Sequence, residues 1–555
     1  MTRRERTSLL VLWFFLGLLP LLVRPLWEPD EGRYAEIPRE MLAAGDWLTP
    51  RLNGVLYFEK PPLQYWLSAI SMKLFGVNGA AARLPLALAS GLMIWAAWRL
   101  AKRLGARDPL WAPFMAATGL LAFLVGQLLT LDALFSAFLV AALAAFVEAV
   151  AQRKEGRNGL GWTLTAFVFL AGAMLTKGLA QVILMGGILV FSLPFTWRDP
   201  ALRRAVLRTA FDPLGWLLYL VLVVPWFWAV NRANPGHAQF FFIHEHFTRF
   251  LTHEHARQGS DNWLLDKLYF LGILAVGLLP WLSAVAVGLK RTWTFLKGRG
   301  PQGADHLGRW TVGVTAVAFL WPLAFFSLSG SKLPPYILPV LVPLLTLACT
   351  FEREGEEPAA LRRMGWELMV LGLIFLAAAP IFHKELGGPG WLIALGAAFA
   401  GLGLWARRPR GLTGPRLRAA MGAALWLLVI AGQSAAGPGK SVARLARSAP
   451  KNAQWISYGT YFQGLPFYAH TRAVVVAGTG ELAYGRDHLG AEAQRWFNED
   501  ARALGSAADR MKQEDPSRPV LVMAKVSNWK SLGPEEKARW EEVARSQSAV
   551  VARRR

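Results

Sequence analysis

The chain is poor in charge and has almost no cysteine. Of its 555 residues, 17% are charged and 54% are hydrophobic. A soluble protein of this length would divide into several domains with polar surfaces, so this composition excludes an ordinary soluble protein. The single cysteine, Cys349, lies within an apolar run. It excludes a disulfide framework and argues against thiol chemistry.

Other familiar signals are also missing. We find no internal repeat, and the last 119 residues contain neither a cluster of metal ligands nor a glycine-rich phosphate loop. The net charge of +23 would indicate nucleic-acid binding in a soluble protein. In a membrane protein the same lysines and arginines hold short loops in the cytoplasm. We therefore expect no nucleic-acid partner.

Long apolar runs fill most of the chain. Runs of about 20 residues, enough to cross a hydrocarbon core of about 30 Å, predict an all-α polytopic membrane protein with about thirteen transmembrane helices. The predicted spans lie near 8–26, 80–100, 109–129, 131–151, 161–176, 178–197, 213–230, 263–289, 310–328, 335–350, 365–383, 389–406 and 416–436. The basic N-terminus is expected in the cytoplasm, and six basic loops then fall on that same side.

This topology places the remaining loops, chiefly 27–79 and 231–262, outside the cytoplasm. An odd number of spans also puts 437–555 outside, so we expect a membrane domain over 1–436 and a second domain over 437–555. Helical spacing in 33–44 and 62–75 predicts helices lying in the membrane interface. In the C-terminal segment, 472–477 and 519–523 predict strands, whereas 488–513 and 534–545 predict helices. A small α/β domain follows.

Several acidic residues lie in the loops that this topology places outside the cytoplasm. Asp30 and Glu31 follow the first span, with Arg33 close by, and Asp132 begins a later span. Each acid could simply favour the start of a helix through its dipole. The alternative is a carboxylate that activates a nucleophile or stabilises developing positive charge.

Basic residues occur in the same outer loops. Lys60 lies between Glu59 and two prolines, where it could reach lipid phosphates in general or bind one particular phosphate. Lys177, in a short outer turn, goes against the usual charge bias, which indicates a bound anion or an acidic partner. Lys332 and Tyr336 lie at the outer end of another span and suggest a phosphate-binding rim.

Histidines concentrate in the loop 231–262. His244, His246, His253 and His255 lie near acids, and imidazoles with a carboxylate can bind zinc. Their spacing matches no strong zinc signature. Arg249 in the same loop could instead bind a phosphate through two hydrogen bonds.

Together these motifs resemble the GT-C membrane glycosyltransferases, in the branch of the bacterial lipid A aminoarabinose transferases and, more distantly, the protein O-mannosyltransferases. The resemblance rests on PDEGRYAEIPREMLAAGDW at 29–47, YFEKPP at 57–62, the Asp132 turn, LTKG at 175–178, HEHFTR at 244–249 and SKLPPY at 331–336. It covers the membrane region in order, and its first two motifs are the specific ones. The C-terminal domain is similar in place and size only.

The resemblance implies an undecaprenyl phosphate-linked sugar donor and inverting transfer at the periplasmic face of a bacterial inner membrane. The enzyme would act as a monomer surrounded by membrane lipids. The acceptor would be lipid A or another periplasmic molecule. Asp30, Asp132 and Arg33 are then the expected catalytic residues, and Lys60, Arg249, Tyr336, Tyr34, Lys177 and Lys332 are expected to bind the carrier phosphate or donor. No cofactor is required, although Glu59 and His244 would share a structural Zn²⁺.

Three other functions compete with this interpretation. A transporter of lipid-linked sugars would carry its acids at the midplane of repeated halves, but here they cluster at one face and no repeat is found. A receptor or scaffold would work through its outer C-terminal domain. Within the enzyme class, another sugar, or a protein or glycan acceptor, remains open.

Overall fold

The computed structural model describes residues 1–248, 262–299, 305–351, 357–382, 390–408 and 414–555. Up to residue 299, the described residues form mainly apolar helices with short connections. The helical segments up to residue 299 are Arg3–Leu12, Trp13–Leu18, Leu19–Leu22, Asp30–Ala44, Leu63–Phe75, Gly79–Arg103, Trp111–Thr118, Leu120–Gly126, Leu131–Lys154, Leu160–Lys177, Ala180–Ser192, Leu193–Thr196, Pro200–Ala210, Pro213–Ala233, Gln239–Thr248, Trp263–Gly277, Leu282–Thr294 and Phe295–Arg299.

The rest of the chain completes this bundle and then changes character. Its helical segments are His306–Leu328, Pro334–Ile337, Leu338–Thr350, Glu357–Phe382, Gly390–Ala406, Gly414–Lys440, Ala443–Arg447, Leu465–Ala469, Gly480–Leu482, Ala483–Asp487, Gly490–Glu492, Ala493–Trp496, Ala501–Ala503, Leu504–Glu514, Val526–Lys530 and Pro534–Ala538. From Ala443 onward the helical segments are mostly short and mixed with strands, as a small α/β unit requires.

The membrane fold predicted from hydropathy is confirmed, whereas the exact number of spans stays a prediction. Within the described residues, eight helices are long and apolar enough to cross a membrane. A ninth span would be the pair Trp263–Gly277 and Leu282–Gly298, which is bent by 116°. Shorter apolar helices cover 180–196, 334–350 and 390–406, and the segment predicted at 109–129 is broken at Gly119.

One helix forms the centre of the bundle. In the apolar stretch of the helix Leu131–Lys154, 89% of the residues are buried. This helix packs between Gly79–Arg103 and Leu160–Lys177. Small alanines along it allow this close approach, because helices in lipid associate through packing rather than through a hydrophobic driving force. Asp132 lies in the first turn of this helix, within electrostatic reach of Tyr34 in the first loop.

The segment 27–79 contains both helices predicted as interfacial, Asp30–Ala44 (the interfacial helix) and Leu63–Phe75. Between them strands β1 (Arg51–Leu52) and β2 (Val55–Leu56) form a hairpin. Its turn residues Asn53 and Gly54 both have positive φ, as the tight hairpin turns that favour Asn-Gly require.

The C-terminal unit is built on a six-stranded sheet. Its strands are β3 (Gln454–Tyr458), β4 (Ala473–Val476), β5 (Phe497–Asn498), β6 (Val520–Lys525), β7 (Trp540–Arg545) and β8 (Ala549–Arg554). The order is β5-β4-β3-β6-β8-β7, with the first four parallel and the last two antiparallel. In register, Ile456 lies beside Val474 and Val522, which explains the apolar runs of these central strands.

Two secondary-structure expectations for this unit are wrong. The helix predicted over 534–545 ends at Ala538, and its second half is β7, whose pairing with β8 outweighs local helix propensity. The single helix predicted over 488–513 is several short pieces interrupted by β5, and only Leu504–Glu514 is a regular helix.

The sheet unit docks directly on the interfacial helix. Gly32 meets the backbone of Gly464 so closely that a Cβ atom there would collide with it. The Asn53 amide exchanges two hydrogen bonds of 2.9 Å with the backbone of Ala473, at the start of β4. These contacts set the C-terminal unit against the predicted catalytic loop.

Candidate active site

The interfacial helix begins with two neighbouring acids in opposite surroundings. The Asp30 side chain is 50% exposed and pairs with Arg33 one turn along. The Glu31 side chain is 2% exposed. Both lie in the first turn, where the helix dipole favours a carboxylate, so the structural explanation offered above applies to both acids. Only Asp30 is also open to a substrate.

Glu31 is surrounded by hydrogen-bond donors. Arg83 binds it through two nitrogens at 2.8 and 2.9 Å, Arg24 forms a second ion pair with it, and the backbone amides of Trp27 and Leu129 donate to it at 2.9 Å each. Burial alone would raise the pKa of Glu31, but Arg83 and Arg24 outweigh burial and hold the pKa well below its usual range. This acid therefore joins its own helix to the segment after the first span, to the helix Gly79–Arg103 and to the turn before Leu131.

Arg33 is buried and connects the two parts of the molecule. It forms ion pairs with Asp30 and with Glu481 of the C-terminal unit. Its guanidinium carbon lies 5.0 Å from the centre of the Tyr34 ring, a cation–π contact. Since Glu481 comes from the sheet unit, the charge balance next to Asp30 depends on how that unit docks.

Tyr34 lies at the meeting point of the predicted acids. Its ring stacks on Tyr65 with centroids 6.3 Å apart. Burial raises the pKa of Tyr34, and the carboxylates of Asp30, Glu59 and Asp132 raise it further while Arg33 opposes them. The carboxylates of Asp30, Glu59 and Asp132 therefore lie within electrostatic reach of the Tyr34 phenol. That phenol stays protonated.

Lys60 lies in the motif YFEKPP at 57–62. Its ammonium donates to the Glu59 carbonyl at 2.6 Å and to the Glu245 carboxylate at 3.1 Å. The side chain keeps 19% of its surface exposed. This partner lies in the loop 231–262, so the structure brings the two predicted catalytic loops into contact at Lys60.

Asp132, Lys177 and Tyr336 form a group of their own. Lys177 pairs with Asp132 across two neighbouring helices, and its ammonium lies 4.4 Å from the centre of the Tyr336 ring. Thr130, which precedes the helix, makes no side-chain cap, and the Asp132 carboxylate bonds Lys177. An acidic partner therefore accounts for the unusual position of Lys177.

Lys332 is more enclosed than a phosphate-binding lysine is expected to be. Its ammonium is fully buried and binds both oxygens of Asp266 at 2.9 Å, together with the Ser329 carbonyl. A lysine with three acceptors already in place has little left for a phosphate, which favours a structural role.

The remaining predicted residues are Glu59 and His244, the expected zinc ligands, and Arg249. His244 is exposed and stacks on Phe240 with centroids 5.2 Å apart. Among the described residues, no three histidines, cysteines or acids come together as a metal site would require. Arg249, His253 and His255 lie outside the described residues.

Several residues of the site escaped sequence reasoning. Glu245 and Glu481 are the partners of Lys60 and Arg33, yet each is separated from its partner by a long stretch of chain. Arg83 carried a usable signal, because a charge inside an apolar span usually has a buried partner. Glu28 carried none: it is half-buried and accepts the Gly464 amide at 2.7 Å.

The fold and the site together define a GT-C membrane glycosyltransferase. The chain superimposes on ArnT from Cupriavidus metallidurans, solved apo and bound to undecaprenyl phosphate, with TM-scores of 0.76 and 0.78, 25% identity, and 98% of that chain covered. A family described as dolichyl-phosphate-mannose-protein mannosyltransferase matches residues 59–228.

Curated relatives narrow the class to a family. An undecaprenyl phosphate-α-4-amino-4-deoxy-L-arabinose arabinosyl transferase of Pseudomonas aeruginosa is 34% identical over 77% of this chain and 75% of its own length. One from Edwardsiella ictaluri is 35% identical over 67% of this chain, a match that spans 64% of that relative. The chain belongs to this family of arabinosyl transferases.

Proposed function

We propose that this enzyme transfers 4-amino-4-deoxy-L-arabinose from undecaprenyl phosphate to a phosphate of lipid A, with inversion at the anomeric carbon. The reaction takes place at the periplasmic face of a bacterial inner membrane, with the N-terminus in the cytoplasm and the C-terminal unit, 437–555, in the periplasm. The observation that carries the proposal is the half-exposed Asp30 carboxylate, held by buried Arg33 in the segment that follows the first membrane span.

The bond changes are those of a single displacement. An acceptor oxygen bonds to the anomeric carbon while the bond from that carbon to the carrier phosphate oxygen breaks, and the phosphate leaves with the electron pair. Negative charge grows on the departing phosphate and positive charge on the sugar ring. A nearby cation lowers the barrier for the first, and a carboxylate does so for the second.

We assign the phosphate to Lys60, with Arg249, Tyr34 and Tyr336 as further binding residues. Lys60 is the partly exposed lysine of the specific motif at 57–62, and its ion pair with Glu245 keeps it extended toward the second catalytic loop. A phosphate that replaces or joins Glu245 would meet an ammonium already in position, which reduces the entropy lost on binding.

We assign the sugar and the acceptor to Asp30, with Arg33 as its positioning residue and Asp132 as a second acid. A lipid A phosphate is already ionised near neutral pH and needs little general-base help, so Asp30 would orient the donor amine or stabilise the ring. Lys177 would then keep Asp132 charged and in place, since the two form an ion pair in the structure. Lys332 holds Asp266 and supports the same end of the bundle.

The proposed transfer needs no cofactor, and a single chain is enough to perform it. Carboxylate and imidazole are groups that zinc accepts, so Glu59 and His244 remain candidate ligands for a structural ion. Since no set of three ligands forms among the described residues, we route no step through a metal.

A second candidate is transfer of another polyprenyl phosphate-linked sugar to a protein or glycan. The match of residues 59–228 to a family of protein mannosyltransferases favours it, because that region carries Glu59, Lys60 and Asp132. A hydroxyl acceptor would require Asp30 to remove a proton.

Mass spectrometry of lipid A separates these candidates. We expect cells expressing the protein together with a donor supply to gain aminoarabinose on lipid A phosphates, and cells expressing Asp30→Asn to gain none. Unchanged lipid A beside newly glycosylated proteins would replace the first proposal with the second.

A further inference from the structure

A cavity of about 790 Å³ lies where the C-terminal unit meets the ends of the membrane spans. Leu22 is the last residue of the first span, Gly79 is the first residue of the next, and Gly437 closely follows the span Arg416–Ser434; all three line the cavity. Since three spans end there, the cavity lies at the level of the lipid headgroups.

The charged side chains that line this cavity are all positive. They are Arg24, Arg444, Arg447 and Arg545, and among the described residues no aspartate or glutamate lines the cavity. Arg24 is already bound to Glu31, and Arg545 is bound to Glu542 at 2.6 Å.

The other two arginines remain available. Arg444 and Arg447 are exposed, and in the part of the chain that the structure describes neither has a carboxylate partner. Two guanidinium groups without counter-ions, one helical turn apart, are a suitable grip for a phosphate, which accepts paired hydrogen bonds from arginine.

The walls hold one of these arginines in place. Tyr468 accepts the Leu26 amide on its hydroxyl at 2.8 Å, and its ring lies 5.0 Å from the guanidinium carbon of Arg447. Ser441 and Ser448 add hydroxyl groups to the lining. A phosphate placed here would find charge and hydrogen-bond donors together.

The rim toward the membrane is apolar. Leu22 and Val23 line the cavity and are 43% and 52% exposed. A ligand with a phosphate head and hydrocarbon chains would satisfy both parts at once, whereas free phosphate would leave the apolar rim unused. The shape and charge of the cavity therefore match an amphiphile.

We propose that this cavity binds the phosphate headgroup of an anionic membrane lipid through Arg444 and Arg447, with the lipid chains passing Leu22 and Val23. The site is separate from the proposed transfer site, because neither Asp30 nor Lys60 lines the cavity. A lipid held here would bridge the membrane spans and the sheet unit. The proposal does not depend on which sugar is transferred.

The test uses the full-length protein, purified in neutral detergent, with dioctanoyl phosphatidic acid as the probe and native mass spectrometry as the measurement. Dioctanoylglycerol, which lacks the phosphate, and inorganic phosphate are the comparison ligands. The variants are Arg444→Gln with Arg447→Gln, Arg444→Lys with Arg447→Lys, and Arg444→Gln alone. The matched control, Arg502→Gln with Lys530→Gln, removes two exposed cations of the same unit that do not line the cavity.

We expect saturable binding of phosphatidic acid that weakens about tenfold or more in the double glutamine variant, because two charge-assisted contacts are lost. The control should bind as well as wild type, and dioctanoylglycerol should not saturate. The double lysine variant keeps the charge but loses the paired hydrogen bonds, so it should bind more weakly than wild type and more tightly than the double glutamine variant. If the double glutamine variant does not fold, Arg444→Gln alone should still weaken binding.

Two results would overturn the proposal. One is equal binding of phosphatidic acid by the glutamine variants and the control, which would make the arginines irrelevant. The other is displacement of phosphatidic acid by inorganic phosphate at equal concentration, which would indicate a site for free phosphate instead of a lipid.

Discussion

Asp30 and Glu31 are adjacent in one turn of helix, and the surrounding structure gives them opposite properties. Glu31 meets two arginines and two backbone amides and is closed to solvent. Asp30 meets one arginine and keeps half its surface open. A carboxylate with all its acceptor sites filled stabilises the fold, whereas one with sites left over can still act on a substrate.

The lysines of the outer loops repeat this contrast. Lys332 is buried among three acceptors, but Lys60 has one carboxylate and one carbonyl and is partly exposed. Both lie in motifs that led to the same expectation, phosphate binding. The number of groups bonded to each lysine, more than the residue type, distinguishes a structural role from the proposed phosphate-binding role.

The largest effect should come from Glu31→Gln. The change leaves Arg24 and Arg83 buried beside a neutral group, and breaking a buried ion pair in this way costs about 3–5 kcal/mol. We expect poor expression and a strongly lowered melting temperature in detergent. A variant as stable as wild type would contradict the structural role assigned to Glu31.

Asp30→Asn should show the reverse pattern. The amide keeps the shape of the side chain but removes the charge that we assign to the sugar, so we expect transfer to fall about a hundredfold or more. Because Asp30 is half exposed, the melting temperature should hardly move. The measurement is sugar transfer by purified protein, with Glu31→Gln as the contrasting variant. Transfer at the wild-type rate would refute the role of Asp30.

Lys60→Ala tests the phosphate side of the same comparison. Removing one electrostatic partner of the departing phosphate costs about 3 kcal/mol, or about a hundredfold in rate. Lys60→Arg, which keeps the charge, should retain part of the activity. Equal losses in both variants would point to packing, and no loss in either would remove Lys60 from the site.

A third acid, Glu28, sharpens the comparison through pH. Burial raises its pKa from 4.5 to about 8, although the amide of Gly464 favours the charged form. Between these two values the folded protein holds a proton that the unfolded chain releases, so this group makes stability fall as pH rises from about 4.5 to about 8, with no further change above.

Glu28→Gln checks this expectation, because its amide oxygen can still accept the Gly464 hydrogen bond but does not titrate. We expect melting temperatures measured from pH 5 to pH 9 to fall less for the variant than for wild type. Parallel curves would mean that Glu28 does not titrate in this range.

Sequence patterns predicted the elements better than the partners. Hydropathy located the long spans, and helical spacing located Asp30–Ala44 and Leu63–Phe75, because both signals are local. The different surroundings of Asp30 and Glu31 depend on Arg83 and Glu481, which the fold brings from far along the chain. β7 was missed for the same reason: its strand state depends on β8.

The smallest effect should come from Arg3→Ala. Arg3 is exposed at the start of the first helix, and Arg4 and Arg6 remain beside it to favour a cytoplasmic N-terminus. An exposed substitution of this kind usually changes stability by less than about 0.5 kcal/mol. We expect sugar transfer and melting temperature to match wild type within error. A large loss of transfer would mean that charge matters even far from the outer site, and the contrast between filled and open acids would then explain less of the activity.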